Sequence, residues 1–221
     1  MNDFVQRLNR LDCCAISDAL DKLGLRDRVV SGLEQRSTAR RIAGRVVTCR
    51  LVSADQAPPP TGAAPRHLGT TAIELAQPGE VIVVEQRTGL DAGSWGGILT
   101  LGAKVRGIAG VIADGPVRDV DEARAYDFPI YCRALTARTA RGRVAEAETN
   151  QRITIGEVTV EPGDYVIADA SGVAFIPAAD VERVLDAAEL IAGREASMAK
   201  ALLTGRPIAE VMGADYEHML R

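Results

Sequence analysis

Apolar positions recur with two periods along the chain, and the switches between them mark out its elements. Phe4, Leu8 and Leu11, then Ile16, Leu20 and Leu23, repeat every three or four residues. This predicts two amphipathic helices within residues 1–24, the second closed by Gly24. Residues 42–52 (IAGRVVTCRLV) are rich in β-branched side chains and predict a strand with a bulge at Gly44. A helical run over 67–76 and a turn at Pro78-Gly79-Glu80 lead into a strand over 81–85. Gly96 and Gly97 open a helical run over 98–106, which Gly107 ends. The short apolar run 109–113 (AGVIA) reads as a fully buried strand, Asp114-Gly115-Pro116 as a tight turn, 120–126 as a helix and 128–132 as a strand. Residues 134–149 are polar, carry Arg138, Arg141 and Arg143, and read as a loop with a basic patch. Residues 153–160 alternate, and 165–176 follow around a turn at Ala170-Ser171-Gly172, as hairpin strands do. Helical spacing returns over 178–203 through Val181, Val184, Leu185, Ala188, Ile191, Met198 and Leu202. Gly205-Arg206-Pro207 breaks it, and 208–221 reads as a short helix or tail, suited to clasping another subunit. Helices and strands alternate through the middle, so the pattern predicts an α/β domain with a mixed sheet.

Composition sets the limits of this picture. The chain has 221 residues, 47% of them hydrophobic and 25% charged, which suits one domain over 1–221 with a sizeable core, N-terminal helices in 1–24 and a helical arm in 178–221. A net charge of −4 gives no overall attraction to nucleic acid. No apolar run reaches membrane-spanning length and the N-terminus shows no signal-peptide core, so a cytoplasmic protein is expected. The four cysteines form no C-x-x-C pair and the only histidines are His67 and His218, which argues for reduced thiols and against structural zinc. Neither a dinucleotide-binding nor a P-loop glycine pattern occurs. Residues 54–65 (ADQAPPPTGAAP) form a proline-rich loop placed to cover a pocket.

The candidate chemistry gathers between Trp95 and Asp119. Asp119 is a hard oxygen donor suited to Mg²⁺ or Mn²⁺. Arg118 presents a planar fork for a carboxylate. The backbone N–H groups of residues 96–99 are placed to receive a second anionic oxygen. Together they form a receiver for a 2-oxo acid, with the metal on the keto oxygen and the arginine and amides on the carboxylate. The plainer alternative is that Asp119 caps the helix 120–126 and Arg118 is a surface cation. Asp18 and Asp21 read as solvated charges, His67 as a surface residue and Arg133 as a surface charge, while Asp91 and Ser94 lie near the loop in open roles. Only three lysines occur, Lys22, Lys104 and Lys200, and Lys104 is expected to face outward. A Schiff-base aldolase needs a desolvated lysine, so metal chemistry is the better fit.

The run from Gly96 to Tyr131 (GGILTLGAKVRGIAGVIADGPVRDVDEARAYDFPIY) resembles the signature of the RraA-like family. Residues 15–24 (AISDALDKLG) and 162–173 (PGDYVIADASGV) resemble its N-terminal helix and its late hairpin. The family includes the class II 4-hydroxy-4-methyl-2-oxoglutarate/4-carboxy-4-hydroxy-2-oxoadipate aldolases and the regulator of ribonuclease E activity. The resemblance implies a swivelling β/α fold in a trimer or dimer of trimers, with active sites between protomers. It implies cleavage of a 4-hydroxy-2-oxo acid to pyruvate and a second carbonyl compound, with oxaloacetate decarboxylation as a side activity. Asp119 would hold Mg²⁺ or Mn²⁺, Arg118 would bind and stabilise the substrate, and Gly96, Gly97, Ile98 and Leu99 would line its site. Glu195, in Gly193-Arg194-Glu195-Ala196, matches an acidic residue that reaches the neighbouring protomer's metal site through water. A surface glutamate paired with Arg194 or Lys200 is the other reading of it, and the general base stays open. Many aldolase members carry a carboxylate where this chain has Gly97, so weaker metal binding is expected. A non-catalytic regulator that binds a protein such as a ribonuclease, or a lyase for a related acid, are the alternatives. Regulator-type sequences lack an acid where this chain has Asp119, which favours the enzyme.

Overall fold

The apolar run at 81–84 becomes a strand, Val81–Glu85, whose first four side chains are all buried. Alternate residues serve two different cores, Ile82 and Val84 on one face and Val81 and Val83 on the other. Burial on both faces is why the sequence shows a continuous apolar run there rather than alternation. The computed structural model describes residues 3–57 and 67–213. Its strands are β1 (Val29–Val30), β2 (Glu34–Gln35), β3 (Ile42–Ser53), β4 (Val81–Glu85), β5 (Gly110–Val117), β6 (Ile130–Leu135), β7 (Val144–Thr149), β8 (Ile153–Ile155), β9 (Val158–Val160), β10 (Tyr165–Asp169) and β11 (Gly172–Ile176). Its helices are α1 (Asp3–Leu8), α2 (Cys13–Lys22), α3 (Thr70–Leu75), α4 (Gly97–Val105), α5 (Val120–Ala125), α6 (Val181–Leu203) and α7 (Ile208–Val211). The fold is the expected mixed α/β type.

The main sheet runs β1-β11-β10-β3-β4-β5-β6-β2. The stretch β3-β4-β5-β6 is parallel and the other pairings are antiparallel. The twelve-residue β3 joins the two wings: its first residues pair with β10, its middle with β4 and its end with β7. Residues of α3, α4 and α5 pack on the parallel wing around Trp95 and Phe128. Those of α1, α2 and α6 cover β10 and β11. A third core, with Tyr131 and Phe175, lies between the wings and includes the separate β8–β9 hairpin.

Several sequence expectations are corrected. Asp114-Gly115-Pro116 is not a turn: it lies inside β5, where the register with β6 shifts between Ala113 and Pro116. Gly44 carries no bulge; the irregularity in β3 falls between Arg50 and Leu51. Glycine is needed at 44 because an added Cβ would lie 2.6 Å from the carbonyl oxygen of Gly79. The supposed loop 134–149 contains the end of β6 and all of β7. The sequence of β7, VAEAET, has little intrinsic strand preference, and its backbone is recruited by the overhanging end of β3. Residues 58–65 of the proline-rich loop, and 214–221 with His218, lie outside the described residues.

Candidate functional site

The site forms where the loop after β4 meets the end of β5. Ser94 ties the two together, its backbone N–H and its hydroxyl both donating to the Pro116 carbonyl at 2.8 and 2.7 Å. The Arg118 N–H donates to the Trp95 carbonyl at 3.0 Å. Trp95 is buried, and its indole N–H donates to the Thr100 hydroxyl, which itself donates to the Gly96 carbonyl. The glycine loop, the first turn of α4 and the Arg118–Asp119 pair are therefore one rigid unit.

Asp119 sits at the N-cap position of α5 with φ 58°, in the left-handed region that aspartate tolerates. Its side chain makes no capping bond to α5. Instead Oδ2 accepts the Gly97 N–H at 3.0 Å, at the start of α4, and Oδ1 accepts the Arg118 Nε–H at 3.2 Å. The plainer reading of Asp119 as the cap of its own helix is thus set aside. The Gly97 amide is taken by Asp119, which leaves the Ile98 and Leu99 amides as first-turn donors for an anion. An added side chain at either glycine would meet a carboxylate. A Cβ on Gly96 would lie 3.0 Å from Asp119 Oδ2, and one on Gly97 would lie 1.8 Å from Glu122 Oε2. The space that a side chain at 97 would fill is occupied by the Glu122 carboxylate from α5.

A cavity of about 170 Å³ opens here, lined by Gly96, Gly97, Ile98, Leu99, Arg118 and Asp119 together with His67, Leu68, Gly93, Trp95, Thr139 and Ala140. Six of the seven site residues expected from the sequence therefore meet. Glu195 does not join them within one chain. It lies on the exposed part of α6, past Ile191, the last buried residue of that helix. Burial and the nearby Asp12 and Asp18 raise its carboxyl above the usual range. Asp18 is raised likewise, by burial and then by Asp21 and Asp12.

His67, expected at the surface, is exposed but also borders the cavity. Its Nδ1 lies 3.0 Å from the Leu68 carbonyl, an acceptor, so Nδ1 carries a hydrogen and donates it there. No spacing rule in the sequence marks His67 or Glu122. Arg133 is not a free surface charge: its Nε donates to the buried Asp114 at 2.6 Å. That ion pair lines a second, broader cavity of about 590 Å³ at the carboxyl ends of the parallel strands, along with Asp91, whose carboxylate pairs with Arg138. Lys104 faces outward, as expected, and donates to the Asp127 carbonyl.

The donors at the 170 Å³ cavity suit a small hard cation. Asp119 keeps lone pairs beyond its two hydrogen bonds, and Glu122 brings a second carboxylate over Gly97. Among the described residues no three His, Cys, Asp or Glu side chains converge as a complete ligand set. An ion held here would complete its shell with water and substrate oxygens, as Mg²⁺ does.

Comparison with known proteins places the chain in a family. The RraA-like family, described as Aldolase/RraA, matches residues 13–175. A protein of Halalkalibacterium halodurans named "Putative 4-hydroxy-4-methyl-2-oxoglutarate aldolase" is 30% identical over 188 residues, which cover 85% of this chain and 82% of that protein. Among solved structures, an uncharacterized protein from Pseudomonas syringae pv. tomato superposes with a TM-score of 0.84 at 24% identity, covering 96% of this chain and 98% of that one. Streptomyces coelicolor RraAS2, described as an unusual member of the RNase ES inhibitor RraA protein family, superposes with a TM-score of 0.77 at 24% identity, covering 93% and 98%. The family match runs through the glycine loop, β5 and the Arg118–Asp119 pair, and the chain belongs to the RraA-like family.

Proposed function

We propose that this chain is a divalent-metal-dependent class II aldolase that cleaves a 4-hydroxy-2-oxo acid to pyruvate and a second carbonyl compound. The observation that carries the reading is the placement of Asp119, whose carboxylate is held between the Gly97 amide and Arg118 at the mouth of the cavity. The name of the Halalkalibacterium relative points to the same chemistry. Asp119, with Glu122 beside it, would hold Mg²⁺ or Mn²⁺, which supplies Lewis acidity at the 2-oxo oxygen. Arg118 uses its Nε on Asp119, so its two terminal nitrogens are the ones that grip the substrate carboxylate. The Ile98 and Leu99 amides orient the same end of the substrate. As the C3–C4 bond breaks, the charge of Arg118 faces the enolate oxygen that develops. The apolar walls at Leu68, Trp95, Leu99 and Ala140 limit water near that enolate.

We further propose a trimer, or a dimer of trimers, in the cytoplasm. In this assembly Glu195 of the partner subunit orders the water that takes the C4 hydroxyl proton. The exposure of α6 beyond Ile191 and of Leu190, Leu202, Leu203, Ile208 and Met212 supports a covered arm. Among the described residues no helix is long and apolar enough to cross a membrane.

The test is pyruvate release from oxaloacetate and from a set of 4-hydroxy-2-oxo acids, 4-hydroxy-4-methyl-2-oxoglutarate included. It is run with Mn²⁺ or Mg²⁺, with EDTA, and with Asp119→Ala. Metal-dependent release from a hydroxy acid, abolished in the variant, is the expected result. Release from none of them would overturn the enzyme reading and leave recognition of a protein partner.

A further inference from the structure

We infer that positions 97 and 122 share one carboxylate place beside the cation of this cavity. Glu122 fills it from α5, and it does so only because residue 97 has no side chain. The inference rests on the metal reading and concerns how this chain's own residues make the ion's site.

Two helix starts meet here. Gly97 opens α4, and Asp119 precedes α5. The Gly97 N–H donates to Asp119 Oδ2 at 3.0 Å, so the two starts face each other. Glu122, in the first turn of α5, places its carboxylate where a β-carbon of residue 97 would stand, 1.8 Å from Oε2 and 2.6 Å from Cδ. A β-carbon and that carboxylate exclude one another. Other charges of the turn are drawn elsewhere: Arg118 to Asp119 and Arg124 to Asp121, while Glu122 turns back against α4.

The charge balance explains why a second carboxylate matters. The negative charge of Asp119 is opposed by Arg118 and by the positive end of α4. Asp119 by itself is therefore a weak attractor for a divalent ion. Glu122 brings a further negative charge to the backbone of Gly97, a residue that also lines the cavity. Hard cations gain from each added carboxylate, whether it binds the ion or a water on it. Glycine at 97 is the condition for this arrangement. The plainer role for Glu122 is a counter-charge to the start of α4 alone, which would leave cation affinity unaffected by its loss.

Mn²⁺ binding to the full chain, followed by the loss of the free-ion electron paramagnetic resonance signal, tests this without turnover. Glu122→Gln keeps the shape of the side chain and removes its charge, and should weaken binding by about tenfold or more. Gly97→Ala keeps the glutamate in the chain and expels it from its place, and should weaken binding to a similar extent while unfolding in urea close to the parent. Gly97→Asp combined with Glu122→Ala returns a carboxylate to the shared place from α4, and should recover most of the affinity that Glu122→Ala loses. Unchanged affinity in Glu122→Gln, or weakening there with none in Gly97→Ala, overturns the inference and leaves Asp119 as the metal residue. A double variant that binds no better than Glu122→Ala overturns it too. Absence of Mn²⁺ binding by the unmodified chain overturns the inference and the metal reading together.

Discussion

Asp119 performs two tasks that a substitution can separate. Its backbone occupies the left-handed region, and its carboxylate caps a helix other than its own. Asparagine tolerates that backbone and still accepts the Gly97 N–H. Asp119→Asn is therefore expected to unfold in urea within about 1 kcal/mol of the parent, yet to lose its response to Mn²⁺. Asp119→Ala removes the cap and leaves a β-carbon in the left-handed region, and should lose about 1–3 kcal/mol as well. Gly97 and Gly44 offer a second contrast. At Gly97 an added methyl group meets the far end of the exposed Glu122 side chain, which can swing away. At Gly44 it meets the backbone carbonyl of Gly79 in the sheet, which cannot. Chemical denaturation should find Gly97→Ala nearly neutral, under about 1 kcal/mol, and Gly44→Ala destabilising by about 1–3 kcal/mol. In the sequence both positions show only as glycine, because the atoms that an added methyl group would meet come from residues far along the chain or on another element.

Among the elements, the start of α2 depends on a carboxylate from the β10–β11 turn. Asp169 accepts the Cys13 N–H and the Ser171 N–H, both at 2.8 Å. Burial acts to raise its carboxyl, and these hydrogen bonds outweigh it, so Asp169 titrates below the ordinary aspartate value. A depressed folded-state value means that its contribution is present above the unfolded aspartate value, about pH 4, and is lost as pH falls through the folded one. Asp169→Asn should lower the unfolding midpoint at pH 7, and the gap to the parent should close in acid. An unchanged gap at pH 2.5 would refute this. The pairing was not legible beforehand: residue 169 lies 156 positions from residue 13, and only sheet topology brings the hairpin beside the helix. The helices α2, α4 and α6, by contrast, follow the apolar periodicity closely, since each needs only one buried stripe.

At the scale of the whole molecule, α6 sets Glu195 near Asp12 and Asp18 across the α2 side of the chain. Burial and those two acids raise its carboxyl, so the folded chain binds the proton more readily than the unfolded one. Stability from this group is therefore greatest below the unfolded glutamate value, about pH 4, and declines as pH rises through the folded value. Glu195→Gln should raise the melting temperature at pH 7 and leave it unchanged below about pH 4. If the partner-subunit role proposed above holds, the same variant turns over substrate more slowly, which would make Glu195 an acid kept for function against stability. A melting temperature that falls at pH 7 would show instead that Glu195 is held by a cation in the assembly.

The sequence by itself determined the alternation of elements, the glycine loop that opens α4, the Arg118–Asp119 pair after β5 and the family to which they belong. These are local facts: a period, a turn residue, a motif within about twenty-five positions. The tertiary structure decided the rest. It turned Asp119 from its own helix to that of Gly97, set the Glu122 carboxylate where position 97 has no side chain, and brought His67 to the cavity. It also paired Arg133 with the buried Asp114 and made a strand of 144–149. Each of these depends on which backbone lies alongside which, and no pattern along the chain encodes that, because the partners meet only when the sheet closes.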